Sequence, residues 1–186
     1  IDAFPYGVYT ANIEIAAEVA VLAGCDRKVA LKSIVDSFIN TESDFTKPLE
    51  LNRNTFFLNA FTVNDTDSAS DFYNYWSEKL DIKENIAFVL NTRSDRPLRT
   101  YLFSEWIKER AKQCKFVFIT GDHREMAYRK LKCLIPEVEI RKIRSKQVKG
   151  ILDTINSEFA DTKLIIGIGN IKGEGYKVIN EFNKAS

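Results

Sequence analysis

The chain has 186 residues, 45% hydrophobic and 28% charged, a balance that suits a water-exposed globular protein with a sizeable core. Its formal net charge of +1 gives no reason to expect nucleic-acid binding, and no apolar run approaches the roughly 20 residues of a membrane span. Three scattered cysteines without a C-x-x-C pair, and a single histidine, speak against a histidine-rich zinc centre or a triad that borrows a second histidine.

Cys25, Cys114 and Cys133 lie in apolar segments and read as buried free thiols of a reducing compartment. Acid–base work would fall to His123, carboxylates or lysines. No signal-peptide pattern precedes the first helix, and the start at Ile1 reads as a processed end or the edge of a longer chain.

In chain order, Ile1–Tyr9 carries Pro5 and Gly7 and reads as an irregular or strand-like lead-in. From Thr10, a candidate cap, Ile13, Ala16, Ala17, Ala20 and Val21 recur at helical spacing, and Gly24 stops the run. Asp26 caps a second helix, Arg27 to Phe38, with Val29, Ala30, Ile34, Val35 and Phe38 on its apolar side. The polar segment Asn40–Pro48 is the best domain boundary. Before it the pattern is all helical; beyond it strands and helices alternate.

Strands are predicted at Thr55–Asn59, Ile86–Asn91, Lys115–Thr120, Val138–Ile143 and Lys163–Ile168. Helices are predicted at Ser68–Leu80, Pro97–Gln113, Arg124–Leu134, Lys146–Phe159 and Gly175–Lys184. Continuous apolar runs such as Phe116-Val117-Phe118-Ile119 suit strands buried on both faces. The fold class is therefore α/β: a doubly wound, mostly parallel sheet of five or six strands, preceded by a helical hairpin. The domains are expected at 1–47 and 48–186.

In such sheets ligands meet the elbows at the carboxyl ends of the strands. The first elbow, Asn59–Ser68, passes from a strand into turn formers and helix caps. The second, Asn91–Thr100, carries Arg93, Arg96 and Arg99 with Asp95, and Pro97 in the first turn of its helix. Guanidinium forks grip carboxylate or phosphate, and three of them beside a positive helix end are awkward unless an anion is present. A solvated ion-pair cluster is the plainer alternative.

The third elbow, Thr120-Gly121-Asp122-His123-Arg124, offers a turn and a cap, and its lone histidine carries little weight. The fourth, Gly167–Gly175, could bring backbone N–H groups and Lys172 to an anion. It matches neither G-x-G-x-x-G nor the nucleotide P-loop, and no P-loop occurs in these residues. Phe72 and Trp76 read as core, and the basic stretch 124–149 as a solvated face.

Four strings occur here in one order and context: Leu58–Asp65 (L-N-A-F-T-V-N-D), Asn91–Arg96 followed by Arg99-Thr100, Thr120-Gly121, and Gly167–Gly173 (G-I-G-N-I-K-G). Together they resemble the C-terminal part of the poly-γ-glutamate synthase (capsule biosynthesis) ligase subunit, a Mur-ligase-like amide ligase. The N-A-F-A-A-N-D-P of that family has Thr62, Val63 and Thr66 here, and Tyr9, Thr10 and Ala11 stand where it tends to show His and Glu.

The resemblance implies an enzyme that uses ATP and Mg²⁺ to make an acyl phosphate, which an incoming amino acid then attacks. It implies that 1–47 is the helical end of a central ATPase domain, which supplies the phosphate loop and metal ligands, and that 48–186 closes over the site. Asn59, Asn64 and Asp65 would lie near the nucleotide. Arg93, Asp95, Arg96, Thr120, Asn170 and Lys172 would face glutamate or the transferred phosphate. No catalytic residue or metal ligand is assigned.

The implied partners are glutamate or poly-γ-glutamate, the N-terminal ATPase part and membrane-bound synthase subunits, with no nucleic acid. The implied location is the cytoplasmic face of the membrane. A non-enzymatic α/β module that binds an acidic peptide or polyanion, through its elbows and the 124–149 stretch, is the other reading.

Overall fold

A computed structural model describes residues 10–40, 47–52 and 54–185. The expectations for Ile1–Tyr9, for the cap and apolar roles of the Thr10 and Phe38 side chains, and for most of the Asn40–Pro48 boundary fall outside what is described.

The chain begins as a helical hairpin, α1 (Thr10–Leu22) and α2 (Arg27–Asn40). Gly24, at φ +93°, turns the chain, and the Asp26 carboxylate accepts hydrogen bonds from the N–H groups of Lys28 and Val29 at 2.9 and 3.1 Å. Arg27 reaches back across the turn to Glu14 and Glu18. Ile13, Ala17 and Ala30 are buried, whereas Ala16, Val21 and Val29, expected on the apolar sides, are exposed. A two-helix contact covers only one stripe of each helix.

Beyond residue 47 strands and helices alternate as expected. The elements are β1 (Leu49–Asn52), β2 (Thr55–Asn59), α3 (Thr66–Lys79), β3 (Ile86–Thr92), α4 (Pro97–Lys108), β4 (Cys114–Gly121) and α5 (Arg124–Leu134). Then follow β5 (Glu139–Lys142), a 3₁₀ segment (Ser145–Gly150), α6 (Ile151–Glu158), β6 (Leu164–Gly169) and α7 (Glu174–Asn183). The sheet order is β1-β2-β6-β3-β4-β5, with all neighbours parallel except β1 and β2. The doubly wound, mostly parallel sheet is thus present, with an antiparallel edge strand that sequence patterning missed. Leu49–Asn52 has no β-branched residue, and only its pairing with β2 defines it.

Alternate residues of the central strands feed two cores. Phe88, Leu90, Val117 and Ile166 pack under α3, α4 and α5, with Phe72, Trp106 and Leu131. Ala87, Val89, Phe116 and Ile165 face α6 and α7, with Ile155, Val178 and Phe182. All seven residues of β3 are buried, which is why its sequence reads as an uninterrupted apolar run until Asn91.

Three further expectations are corrected. Helix α4 ends at Lys108 rather than Gln113, because Arg110 folds back over the Trp106 ring at 3.9 Å and donates to the Trp106 carbonyl at 2.9 Å. The predicted helix Lys146–Phe159 opens as 3₁₀, and Gly150 divides it from α6. The cysteines are free, but Cys25 and Cys133 are exposed: one lies in the hairpin turn, the other on an outward position of α5. Cys114 is largely buried, and burial pushes its thiol up to about 12.

Phe88 is fully buried and meets Trp106 edge-on at 5.5 Å. Phe88→Ala should lower the unfolding free energy by about 3–5 kcal/mol, measured by urea titration followed through tryptophan fluorescence.

Candidate functional site

The carboxyl ends of β6, β3 and β4 lie level, and β2 ends two residues before them. Asn59 is opposite Gly167, and Asn91 is opposite both Gly169 and Thr120. The chain leaves β2 and β3 toward helices of one face and leaves β6 toward α7 on the other. This divergence opens the crevice where α/β sheets bind ligands.

Asn91 holds the crevice together. Its Nδ2 donates to the carbonyls of Asn170 and of Lys172, the latter at 3.0 Å, while its own carbonyl accepts from the Asn170 N–H at 3.1 Å. One side chain so pins the loop after β6 to the end of β3. Two glycines make room for this. A Cβ on Gly121 (φ +87°) would lie 2.0 Å from the Thr92 carbonyl oxygen, and one on Gly169 (φ +99°) 2.4 Å from the Asn91 carbonyl oxygen. Thr92 Oγ donates to the Thr120 carbonyl at 2.8 Å and accepts from the His123 N–H at 3.0 Å, tying the third elbow to the second.

Arg99 supplies the other tie. It donates to Gly169 O at 3.1 Å, to Asn170 Oδ1 at 3.2 Å, and to the carbonyl and Oδ1 of Asn64 at 2.9 and 2.5 Å. It therefore joins the elbows after β2, β3 and β6. Burial, with Arg96 and Arg93 nearby, holds its guanidinium below the usual range.

The three arginines of the second elbow thus have different fates. Arg93 pairs with Asp95 at 2.5 Å, Arg99 is committed to uncharged oxygens, and Arg96 stands exposed at the start of α4.

Two cavities flank these ties. A cleft of about 630 Å³ between the first turns of α3 and α4 is lined by Asn64, Asp65, Asp95, Arg96, Leu98 and Leu102, among others. A smaller one, about 170 Å³, is lined by Asn91, Thr92, Arg93, Gly121, Lys172 and Glu174, among others. So the structure brings Asn64, Asp65, Asp95 and Arg96 to one cavity, and Arg93 and Lys172 to the other. Asn170 lies buried between them, bonded to Asn91 and Arg99. Asn59 and Thr120 are buried at the ends of β2 and β4. Asp65 is occupied as the cap of α3, accepting from Ser68 N at 2.8 Å and Ser68 Oγ at 2.9 Å.

Several buried atoms here have no hydrogen-bond partner among the described residues: Asn59 Nδ2, Asn91 Oδ1, Thr120 Oγ1, His123 Nδ1 and Glu174 Oε2. Leaving such groups unmade is costly, and their gathering at one edge of the sheet marks a place built for a ligand or water. Asn91 and Glu174 are residues that the sequence motifs did not single out as contacts. The signal for Asn91 is a polar residue that ends an all-apolar strand; nothing in the sequence marks the buried oxygen of Glu174. Among the described residues no group of three or more His, Cys, Asp or Glu is placed to hold a metal ion.

Residues 46–185 match the family described as poly-gamma-glutamate synthase CapB C-terminal domain. The chain belongs to that family. The CapB C-terminal domain family thus accounts for the whole sheet and its elbows, while α1 and α2 precede the matched region. Among solved structures, the chain is similar to UDP-N-acetylmuramate-alanine ligase MurC from Thermotoga maritima, at a TM-score of 0.48 and 10% identity over 86% of this chain. It spans 37% of that ligase's length. No curated protein matches the chain.

The Asp65 cap has a pH signature. Its carboxyl lies below the ordinary value of 3.8, chiefly because the Ser68 N–H bonds the charged form. A depressed carboxylate stabilises the fold above its unfolded pKa, and that contribution disappears as pH falls through the folded pKa. Asp65→Ala should cost about 1 kcal/mol at neutral pH. In urea titrations at a series of pH values, the gap to wild type should close below the ordinary value of 3.8.

Proposed function

We propose that this chain is the C-terminal part of an ATP-dependent acid–amino-acid ligase in poly-γ-glutamate synthesis. Residues 1–47 form the helical end of its central ATPase domain, and residues 48–186 form the domain that closes over the site. Family membership supports the ligase class. The observation that carries the site is the row of buried, unpartnered polar atoms at the carboxyl ends of β2, β3 and β4 and the start of α7.

In this reading Asn59, Asn64 and Asp65 serve the nucleotide and Arg93, Asp95, Arg96, Thr120, Asn170 and Lys172 the incoming glutamate, and the large cleft that Asn64 and Asp65 share with Asp95 and Arg96 is where the two meet. The exposed Arg96 at the large cleft and the exposed Lys172 beside the small cavity suit an amino acid that carries two carboxylates. Asn64 and Asn170 act through Arg99, which sets the spacing of the two elbows.

Bound ATP with Mg²⁺ supplies the phosphoryl group that activates the acceptor carboxylate as an acyl phosphate. No P-loop occurs in this sequence, and in this reading the phosphate loop and metal ligands come from the preceding part of the enzyme. The work of this chain is to hold the incoming amino acid by its carboxylates, so that its amine faces the acyl carbon. The C–N bond then forms as the C–O bond to phosphate breaks, and the amine proton passes to a neighbouring base or water.

The partners in this reading are the N-terminal ATPase part and membrane-bound synthase subunits, at the cytoplasmic face of the membrane. No described helix is long and apolar enough to cross a membrane.

Positioning groups without a phosphate loop cannot stabilise a transferring phosphoryl group. The chain alone should therefore form no amide from ATP and glutamate, and joining it to its N-terminal ATPase part should yield ATP-dependent amide formation. In the joined enzyme, Arg96→Ala should lower kcat/KM for glutamate by about 10- to 100-fold, the worth of a charge-assisted contact. ATP-dependent amide formation by the isolated chain would refute the reading.

A further inference from the structure

We propose that a lysine-lined groove between the 3₁₀ segment and α7 binds an extended polycarboxylate, as a second contact for a γ-linked glutamate chain beside the site. The assignment of that chain rests on the ligase reading above.

The groove encloses about 350 Å³ and is lined by Lys146, Lys149, Lys177 and Lys184, with Asn180 and Glu181. Local structure aligns these charges. In a 3₁₀ helix residues three apart eclipse, which places Lys146 and Lys149 on one side of their segment. Lys177 on α7 and Lys184, which caps its C-terminus in helical conformation, are seven apart, hence on one face and about two turns, roughly 10 Å, from each other. Two pairs of lysines thus line one groove.

Most other basic residues of the region are spent on neighbours. Lys130 pairs with Glu105, Lys142 with Glu125, and Arg141 with Glu139 and Glu158. In the groove Lys177 is held by Ser145 Oγ at 2.6 Å and Glu174 Oε1 at 3.0 Å. Lys146, Lys149 and Lys184 are exposed and make no ion pair among the described residues. Glu181 is the carboxylate of the lining itself. The result is a local surplus of positive charge on a chain whose formal net charge is only +1.

Lysines are mobile point charges, suited to a flexible chain with regularly spaced carboxylates rather than to one planar, forked ligand. The Lys177–Glu174 pair joins the groove to the site. Glu174, whose Oε1 holds Lys177, lines the small cavity at the strand ends and leaves its Oε2 without a partner. A polymer whose end occupies that cavity can run along α7 toward Lys184, nearly three turns away.

The test uses fluorescently labelled poly-γ-glutamate of defined length, titrated against the chain at low and high salt. The key variant is the triple substitution Lys146→Gln, Lys149→Gln, Lys184→Gln; Lys177 stays because its bonds are structural. A control with the same net charge carries Lys28→Gln, Lys32→Gln and Lys112→Gln, and circular dichroism verifies that both fold.

The groove variant should lose about tenfold or more in affinity, the sum of three exposed ion pairs, and show a weaker salt dependence. The control should bind as wild type does. Equal loss in both variants, or none in the groove variant, overturns the proposal. So does single-stranded DNA of equal charge displacing the polymer equally well, since the groove would then read charge rather than a polycarboxylate. Binding is read without turnover. A groove variant that keeps its affinity, beside an active joined enzyme, therefore sinks the groove alone, and an inactive joined enzyme with polymer binding that depends on the groove lysines sinks the ligase reading alone.

Discussion

The hydrogen bonds of Asn91 are the constraint on which the ligand-facing edge depends. At the divergence of β3 and β6 the sheet can no longer satisfy the backbone of the loop that leaves for α7. Asn91 replaces those missing ladder bonds with its amide, donating to the carbonyls of Asn170 and Lys172. The same side chain keeps its Oδ1 free of any partner among the described residues, inside a wall that excludes water from most of the residue. One amide thus supports the loop through its Nδ2 while its Oδ1 stays open beside it, and the close approach that this needs explains Gly121 and Gly169.

Arg99 extends the arrangement to the first elbow. Its guanidinium makes charge-assisted bonds to carbonyl and amide oxygens, and the Asp65 carboxylate nearby favours its charge. With Arg93 paired to Asp95 and Asp65 close to Arg99, Arg96 is the arginine of this elbow left exposed at the cleft between α3 and α4. The electrostatic awkwardness of three arginines at a helix start is therefore only partly relieved inside the chain, which is what an anion site requires.

The fold was largely legible because doubly buried strands leave long apolar runs and parallel strands need helices between them. Ile86–Asn91 and Arg124–Leu134 were readable for that reason. The edge strand β1 was not, since its short polar-and-leucine sequence acquires meaning only opposite β2. The exposure of Cys25 and Cys133 was equally invisible, because apolar neighbours along the chain say little about direction. At the site, motif strings located the elbows but not the division of labour. Arg99 meets partners 35 and 71 residues away, and Asp65 caps its own helix through Ser68 while lining the cleft.

The most direct test of a ligand site at the carboxyl ends is an amide-resolved NMR titration of the labelled chain with glutamate and then ATP. The opposite edge of the sheet provides an internal contrast, a cavity of about 470 Å³ lined by Asp81, Asn85, Asp161 and Lys163, among others. Shifts are expected at Asn91–Arg96, Thr120–His123 and Asn170–Glu174, and should diminish in Arg96→Ala. Shifts confined to Asp81–Asn85 and Asp161–Lys163, or unchanged by Arg96→Ala, would contradict the account.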